Sequence, residues 1–437
     1  MQSNDAHLDS DDTSRTTADS LQPAKTSWLQ IGVLCASEFI LWTGFSSILP
    51  YLPIFLKEEG RSSVIMIGFV AAAFYLGTLI FSSPFGWLSD LVGRKRIMIT
   101  GMALMAVTCF LFTRSTDPRW FLLFRLLEGM SAAAGGVMFA FVADITVSSQ
   151  RSRALGLIMS AQFGGAILGP ALGAALYHAG GEGRPGFYAI FYFGAAVAAA
   201  TTVAMLFLIH EPAATGKRRA ARAEARPRPD YREVLRPAIL GFLVVGFGLN
   251  FAFGGFEVIW SLWLEHLGAS MTMISVMWIV MSVPMLLSFF GGVMADRYSR
   301  FVLMFIGYSL AAVMFIVTGL VRSINAYLIL TFVLGLGFAL ASPAKQGFLV
   351  QASPVRWIGT VQGLDATSAQ LGGMLGTLLV PVMYEAISGY VIIVCGALGL
   401  VCLTIAGPIL GRESRRQRSE GPRPPEKLPV LPAEETA

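Results

Sequence analysis

Several ionisable side chains lie inside long apolar runs of the sequence, and four of them are functional candidates. These four are Glu38, Arg125, Glu128 and Glu257. A charge at the centre of a bilayer costs about 2.5–3.5 kcal/mol on insertion scales, so such a residue must face a cavity or an oppositely charged partner. A carboxylate held in this way can exchange protons. Glu38, Arg125 and Glu128 are therefore candidates for proton coupling, and Glu257 is a candidate for lining a pathway.

Glu38 is the candidate proton carrier because it lies near the middle of the first apolar run. An unpaired carboxylate there is expected to be neutral near physiological pH, since desolvation disfavours its charged form. Trp42 follows one helical turn later on the same face and offers a ring to a lipophilic or cationic ligand. We predict that Trp42, Phe45 and Glu257 line the substrate cavity. The alternative is that Glu38 is a structural acid, permanently protonated and hydrogen-bonded.

Membrane helices are the elements that must position these residues. Of the 437 residues, 55% are hydrophobic and 14% are charged, whereas a soluble chain is about a quarter charged. A spanning helix needs about 20 largely apolar residues. Twelve stretches meet or approach that length, which predicts an all-α integral membrane protein. The predicted spans are roughly 28–56, 63–89, 97–113, 119–146, 154–178, 187–210, 237–264, 271–295, 301–321, 326–350, 358–384 and 388–410.

The distribution of basic residues predicts the orientation of these spans. With the N-terminus in the cytoplasm, 24 of the 32 Lys and Arg lie in cytoplasmic segments and 6 lie in outer loops. This bias places both termini in the cytoplasm and the chain in the cell (plasma or inner) membrane. We predict a cytoplasmic disordered tail, a six-helix bundle, a basic cytoplasmic linker, a second six-helix bundle and a second disordered cytoplasmic tail. Their bounds are 1–27, 28–210, 211–236, 237–410 and 411–437.

The largest basic cluster runs from Lys217 to Arg236, between the sixth and seventh spans. We interpret it as an anchor that lies against anionic lipid on the cytoplasmic side. Binding to nucleic acid is the alternative that such a charge run allows, but the weaker one, and we predict no nucleic-acid partner.

The two halves of the chain carry related motifs. Gly86-x3-Asp90 recurs 206 residues later, and the glycine string that begins at Gly156 recurs 207 residues later. Two pseudo-symmetric halves are therefore predicted, and duplicated helical halves form a midplane site that opens alternately to either side. The later copies are Gly292-x3-Asp296 and Gly363-x8-Gly372-x3-Gly376.

The loop between the second and third spans reads GWLSDLVGRKRIM. Asp90 lies at the end of a helix, where the macrodipole is negative and an acid is unfavourable without a partner. This run resembles the signature loop of the major facilitator superfamily, although Leu91 replaces the usual basic residue and Ser299 replaces a glycine in the second copy. The resemblance implies the twelve-helix major facilitator fold and a cytoplasmic latch that closes when the site faces outward. The candidate latch residues are Gly86, Asp90, Gly93, Arg94, Lys95, Asp144, Gly292, Asp296 and Arg300.

The segment FRLLEGMSAAAGG also resembles a motif of this family. Arg125, Glu128 and Gly129 match its fourth-helix pattern, whose arginine is tied to proton coupling. The second half carries Thr331 where Arg125 lies, so the resemblance concentrates coupling in the first half. The alternative is an ion pair that only stabilises helix packing.

The fifth span carries small residues at four-residue spacing, which allow close helix crossing, and a proline that kinks the helix. This string resembles the antiporter motif of drug/proton antiporters, with Ala174 in place of the last glycine, and it favours export by exchange over uptake. The predicted packing residues are Gly156, Gly165, Gly169, Pro170 and Gly173, together with Gly363, Gly372 and Gly376 of the second copy.

These observations predict a secondary active transporter that exports lipophilic, drug-like molecules in exchange for protons. In this hypothesis a protonated Glu38 faces outward, turns inward, and releases its proton as substrate binds. The alternatives are an importer or facilitator of sugars or organic acids, and a non-transporting receptor or scaffold. Nucleotide-loop and hydrolase motifs are absent from the sequence, so we expect no catalytic residue, no metal and no cofactor besides the proton gradient. The expected partners are a small-molecule substrate, protons and membrane lipid, with the chain as a monomer.

Overall fold

The computed structural model describes residues 26–147, 150–211, 234–354 and 357–420. Every regular element in these ranges is a helix. The predicted tails before residue 26 and after residue 420 lie outside the described residues, as does most of the predicted linker. The last helix continues to Glu420, so it extends into the segment that the sequence assigned to the C-terminal tail.

Six membrane-crossing segments form the first half. The first and the fourth are each built from two consecutive helices, and the other four are single helices. Their bounds are Trp28–Ile48 with Leu52–Glu58, Val64–Val92, Arg94–Leu111, Pro118–Ala133 with Gly135–Asp144, Arg151–Ala179, and Gly183–Leu208.

Six further segments form the second half. The eighth is interrupted by a 3₁₀ turn at Pro284, because proline removes a backbone donor within the helix. The twelfth begins with the short 3₁₀ turn Ser388–Tyr390. The bounds of the six are Pro237–His266, Met271–Ser282 with Val283–Leu287 and Ser288–Arg297, Arg300–Leu320, Ile324–Ala352, Ile358–Ile387, and Val391–Glu420.

Within the described ranges, nine helical runs are long and apolar enough to cross a membrane, and the last of them contains both the eleventh and the twelfth segments. The two remaining segments have local reasons to be less apolar or shorter. The third begins with Arg94, Lys95 and Arg96, and the eighth is divided at its 3₁₀ turn. The prediction of an all-helical, multi-pass membrane protein is confirmed.

Packing between segments follows the predicted internal symmetry. The first segment packs on the fifth, and the seventh packs in the same way on the eleventh. Between the halves, the second segment contacts the eleventh and the fifth contacts the eighth. We call the side on which the sixth segment ends and the seventh begins the linker face, and the opposite side the far face.

Glycines bring the backbones of the first and fifth segments into direct contact. A Cβ atom on Gly169 would meet Ser46 Oγ and would lie 2.6 Å from Thr43 O and 2.8 Å from Ser47 N. At the symmetric crossing, a Cβ on Gly372 would meet the backbone oxygen of Phe247. Side chains at these positions would therefore push the helices apart.

Two of the predicted packing glycines differ from this pattern. In the part of the chain that the structure describes, no atom lies within 4 Å of the position that a Cβ would take on Gly156 or on Gly363. Both lie near the linker-face ends of their helices, away from the crossings. Their spacing is that of a packing groove, but a groove is filled only where a neighbouring helix crosses it.

The two glycine environments predict opposite effects of the same substitution. Gly169→Ala should lower the melting temperature of the purified protein, because overpacking costs about 1–3 kcal/mol. Gly156→Ala is the matched control and should leave it unchanged or slightly raised, because alanine favours a helix over glycine by about 1 kcal/mol. Equal melting temperatures for the two variants would contradict this account of the crossing.

Candidate functional site

A cavity of about 600 Å³ lies between the two halves. Its lining comes from the first to fifth segments on one side and the seventh and eighth on the other, and most of it is apolar. Flexible methionines and flat aromatic rings adapt to ligands of different shapes. The aromatic and methionine side chains of the lining are Trp42, Phe45, Phe74, Phe139, Phe163, Phe253, Trp278, Met102, Met105, Met281 and Met285.

Glu38 lies in this lining, on the first segment, and only 3% of its surface is exposed. Its Oε2 accepts a hydrogen bond from Gln162 Nε2 at 2.7 Å. Gln162 belongs to the fifth segment, so the glycine-lined crossing brings the amide to the acid. Sequence reasoning missed Gln162, and the available signal was a polar side chain in the middle of the fifth apolar run.

Arg125 and Glu128 form an ion pair one turn apart on the fourth segment. Arg125 Nη1 is 2.6 Å from Glu128 Oε2, and the two residues are 3% and 1% exposed. Glu128 also lines the cavity. Among the described residues, neither its second oxygen, Oε1, nor Arg125 Nε has a hydrogen-bond partner, and both atoms are buried. The pair is therefore incompletely satisfied at the edge of the cavity, where a ligand could supply the missing bond.

Aromatic rings connect the neighbourhood of Glu38 to this ion pair. The Trp42 ring meets Phe45 edge-on at 5.6 Å between centroids, and Phe45 lies 6.0 Å from Phe74. The guanidinium carbon of Arg125 stands 4.7 Å from the centroid of Phe74. The structure thus brings the predicted cavity residues Trp42 and Phe45 into one row with the predicted coupling residue Arg125.

Glu257 provides a polar contact between the halves at the cavity. Its Oε2 accepts a hydrogen bond from Tyr75 Oη at 3.0 Å, and Tyr75 belongs to the second segment. Glu257 and Arg125 also border one small adjoining cavity. The ring of Tyr75 lies against the position that a Cβ would take on Gly373 of the eleventh segment. The ring therefore fits there because this residue has no side chain. Neither Tyr75 nor Gly373 stood out in the sequence.

Polar contacts also join the halves at the far face. Lys57 Nζ is 3.0 Å from the Glu265 carboxylate, and Tyr51 Oη is 2.6 Å from Ser275 Oγ. A third contact, of 2.9 Å, joins His178 Nε2 to Thr272 Oγ1. The far-face ends of the halves are therefore held together, while the cavity lining continues toward the linker face.

The predicted latch residues of the first half gather around Arg94. Its guanidinium is 3.7 Å from Asp90, and its Nη1 is 3.0 Å from Asp144 Oδ2, in a geometry that does not make a hydrogen bond. Glu211, which sequence reasoning missed, accepts hydrogen bonds from the backbone N–H of Arg94 and of Lys95. The acid thus occupies the positive end of the third helix.

The glycines of the loop have different environments. Gly93 connects the second and third helices with a φ of +103°, a conformation that other residues rarely adopt. A Cβ on Gly86 or Gly292 would meet no atom of the described ranges within 4 Å, so close approach of a described backbone does not explain either glycine.

In the second half, Arg300 donates hydrogen bonds to Gly347 O at 3.2 Å and to Gln351 Oε1 at 3.3 Å. Asp296 belongs to the last turn of Ser288–Arg297, but its side chain lies outside what the structure describes. A separate buried ion pair joins Lys345 Nζ to both oxygens of Asp365, each at 2.8 Å.

The fold and the site define a multi-pass membrane protein with a large cavity between two related helical halves, which is the architecture of a secondary transporter. The model of the Major Facilitator Superfamily matches residues 34–377 and 251–435. The chain belongs to this family, as the loop motifs predicted.

Curated relatives match most of the chain. It is 26% identical to Multidrug resistance protein 2 of Bacillus subtilis (strain 168), over 85% of this chain and 92% of the relative. It is 27% identical to Quinolone resistance protein NorA of Staphylococcus aureus (strain Mu50 / ATCC 700699), over 82% of this chain and 90% of the relative.

Solved structures share the fold at lower identity. A bacterial homologue of the human lysosomal transporter Spinster, in an inward-facing and unoccupied conformation, superposes with a TM-score of 0.73 at 16% identity, covering 90% of this chain and 98% of that one. The D-xylose-proton symporter gives a TM-score of 0.70 at 15% identity, covering 87% of this chain and 97% of that one. The predicted twelve-helix fold of two six-helix halves is confirmed.

The buried pair predicts that two substitutions together are milder than one alone. Glu128→Gln should destabilise the protein by about 3–5 kcal/mol, because it leaves the Arg125 charge buried without its partner. The double variant Arg125→Gln with Glu128→Gln should melt at a higher temperature than Glu128→Gln, since no charge is then stranded. Additive losses in melting temperature would mean that the two side chains are not coupled.

Proposed function

We propose that this protein exports lipophilic, drug-like small molecules across the cell membrane in exchange for protons, with its linker face and both termini in the cytoplasm. The observation that carries the proposal is the carboxylate of Glu38, buried in the lining of the central cavity and bonded to Gln162. The names of the relatives, a multidrug resistance protein and a quinolone resistance protein, support the same substrate class.

The chemistry of the cavity favours lipophilic cations. Three carboxylates line it, those of Glu38, Glu128 and Glu257, and Arg125 neutralises Glu128 directly. Aromatic faces attract cations through their quadrupoles, and a volume of about 600 Å³ lies within the usual range for drug-sized ligands. A flat cationic molecule would gain both ring contacts and a carboxylate counterion.

Proton exchange at Glu38 follows from the chemistry of its partner. A glutamine amide offers both a donor and an acceptor. Gln162 donates to the ionised carboxylate and, after turning its amide, can accept from the protonated one. Glu38 therefore keeps a hydrogen bond to Gln162 in both protonation states. A proton can leave Glu38 without leaving either side chain unpaired. A bound cation would stabilise the ionised form, and substrate and proton would compete for this acid.

The cross-half contacts couple this exchange to alternating access. A ligand shifts a conformational equilibrium only as far as it binds one state better than the other. Glu257 contacts Tyr75 of the opposite half, so a cation or proton at Glu257 changes an interaction that joins the two halves in this arrangement. Opening the far face would additionally break the Lys57–Glu265 and Tyr51–Ser275 contacts.

The same cavity disfavours the import of sugars. A sugar needs many hydrogen bonds when it leaves water, and each unsatisfied buried polar group costs about 1–3 kcal/mol. The lining is mostly Phe, Met, Trp and other apolar side chains. Counterflow measurements with labelled sugars and labelled organic cations would separate import from export.

The central prediction concerns Glu38→Gln. In a bacterial strain that lacks its own drug pumps, the native protein should lower the accumulation of a fluorescent lipophilic cation, and an uncoupler should restore accumulation. Cells that express Glu38→Gln should accumulate as much dye as cells with empty vector, because an amide does not bind and release a proton as a carboxylate does. Dye fluorescence in intact cells measures this.

The matched control for this experiment is Glu385→Gln, which makes the same change at an exposed acid of the eleventh segment. It should export like the native protein. If Glu38→Gln still exports the dye and the uncoupler stops that export, the role of Glu38 in coupling is contradicted. If the uncoupler does not affect export by the native protein, proton exchange itself is contradicted.

A second prediction tests the contact between the halves. Tyr75→Phe keeps the ring beside Gly373 but removes the donor to Glu257. Because a hydrogen bond to a charged group is worth about 1.5–3 kcal/mol, the rate of efflux driven by an imposed pH gradient in vesicles should fall by about tenfold to hundredfold. Tyr192→Phe, at an exposed tyrosine of the sixth segment, is the control, and equal rates for the two variants would count against a role for this contact.

A further inference from the structure

A second cavity, of about 270 Å³, lies at the linker face of the second half and shares no lining residue with the central one. It is an open pocket lined by the end of the eighth segment, the start of the ninth, the end of the tenth and the extension of the twelfth. That extension is the part of the last helix beyond residue 410, which the sequence had assigned to a disordered tail. The proposed sites for protons and substrate do not use this cavity, although Arg300, a predicted latch residue, lines it.

The two charged side chains among the described lining residues of this cavity are both arginines. Arg300 and Arg418 line it from two different helices, and among its described lining residues none is acidic. The Arg300 guanidinium is oriented by its hydrogen bonds to Gly347 O and Gln351 Oε1. Arginine presents a planar fork of donors that matches the oxygens of a phosphate group.

Neutral donors complete the lining. The lining also contains the hydroxyl groups of Ser299 and Ser414 and the amide of Gln351. Gln417 lines the cavity as well, and its amide Nε2 donates a hydrogen bond to Glu413 Oε1 at 3.0 Å. Hydroxyl and amide groups donate to phosphate oxygens that the arginines do not reach. The cavity therefore combines two arginines, Arg300 oriented by its hydrogen bonds and Arg418 exposed, with several neutral donors, a combination that suits a phosphate group.

The position of the cavity along the last helix bears on the source of that phosphate. The helix is largely apolar until Leu410 and then becomes polar, with Arg412 and Arg415 exposed on the extension. Phe301 and Phe348 line the same cavity. It thus lies where an apolar span meets a basic surface, which is the depth of phospholipid phosphates, and basic pockets at this level bind lipid head groups.

We propose that this cavity is a binding site for a phosphate group, supplied by the head group of an anionic phospholipid or by free phosphate, with its depth favouring the lipid. Binding joins the extension of the twelfth helix to the start of the ninth segment, because the two arginines come from those two elements. The site is independent of the central cavity and does not rest on the proposed transport function.

The test compares two arginines of the same extension. Full-length protein is purified in a neutral detergent and titrated with short-chain phosphatidylglycerol, short-chain phosphatidylcholine or inorganic phosphate, with the melting temperature as readout. Arg418→Gln should bind phosphatidylglycerol about fivefold more weakly than the native protein, as expected for one interfacial basic residue. Arg415→Gln, which removes the same charge outside the cavity, should bind like the native protein. Arg418→Lys keeps the charge and should lie between them.

The three probes distinguish the sources. Stabilisation by phosphatidylglycerol alone, lost in Arg418→Gln, identifies a lipid site, and Arg418-dependent stabilisation by inorganic phosphate as well identifies a general phosphate site. Either result supports the proposal. Equal responses to phosphatidylglycerol and phosphatidylcholine, or equal weakening by Arg418→Gln and Arg415→Gln, overturn it, because the cavity would then add nothing to the general surface charge.

Discussion

Each acid of the central cavity is held by a donor that another turn or another helix supplies. Gln162 bonds Glu38, Arg125 pairs with Glu128, and Tyr75 bonds Glu257. Burying an isolated carboxylate in a low-dielectric interior costs free energy, so an acidic residue is tolerated only where such a donor is in reach. Because one of the three donors crosses between the halves, the charge state of the cavity and the arrangement of the halves depend on each other.

Close helix crossings allow these hydrogen bonds to form. Gln162 reaches Glu38 because Gly165 and Gly169 let the fifth segment lie directly on the backbone of the first. Gly373 does the same for Tyr75 on the other side of the cavity. A glycine in this protein is required where a neighbouring backbone or ring fills the space that a side chain would take. At other positions, such as Gly156, that space is open among the described residues.

The two faces of the protein carry different kinds of interaction. At the far face, ion pairs and hydrogen bonds such as Lys57–Glu265 join one half to the other. At the linker face, the polar groups around Arg94 organise the first half, and Arg300 orders the start of the ninth segment in the second. Rearranging the halves therefore changes the far-face contacts while the linker-face clusters can move as units, and the proposed phosphate site lies within one such unit.

Sequence alone determined the fold class, the number of segments and the family, because apolar length and motif spacing are local properties. It also singled out Glu38, Arg125, Glu128 and Glu257, since a charge in an apolar run is visible without coordinates. Tertiary structure alone decided what those charges touch. The donors Gln162 and Tyr75 lie 124 and 182 residues from the acids they bond, and the arginines of the second cavity are also far apart in the chain. Such pairs depend on how helices rotate and cross, and spacing along a single helix carries no information about its neighbour.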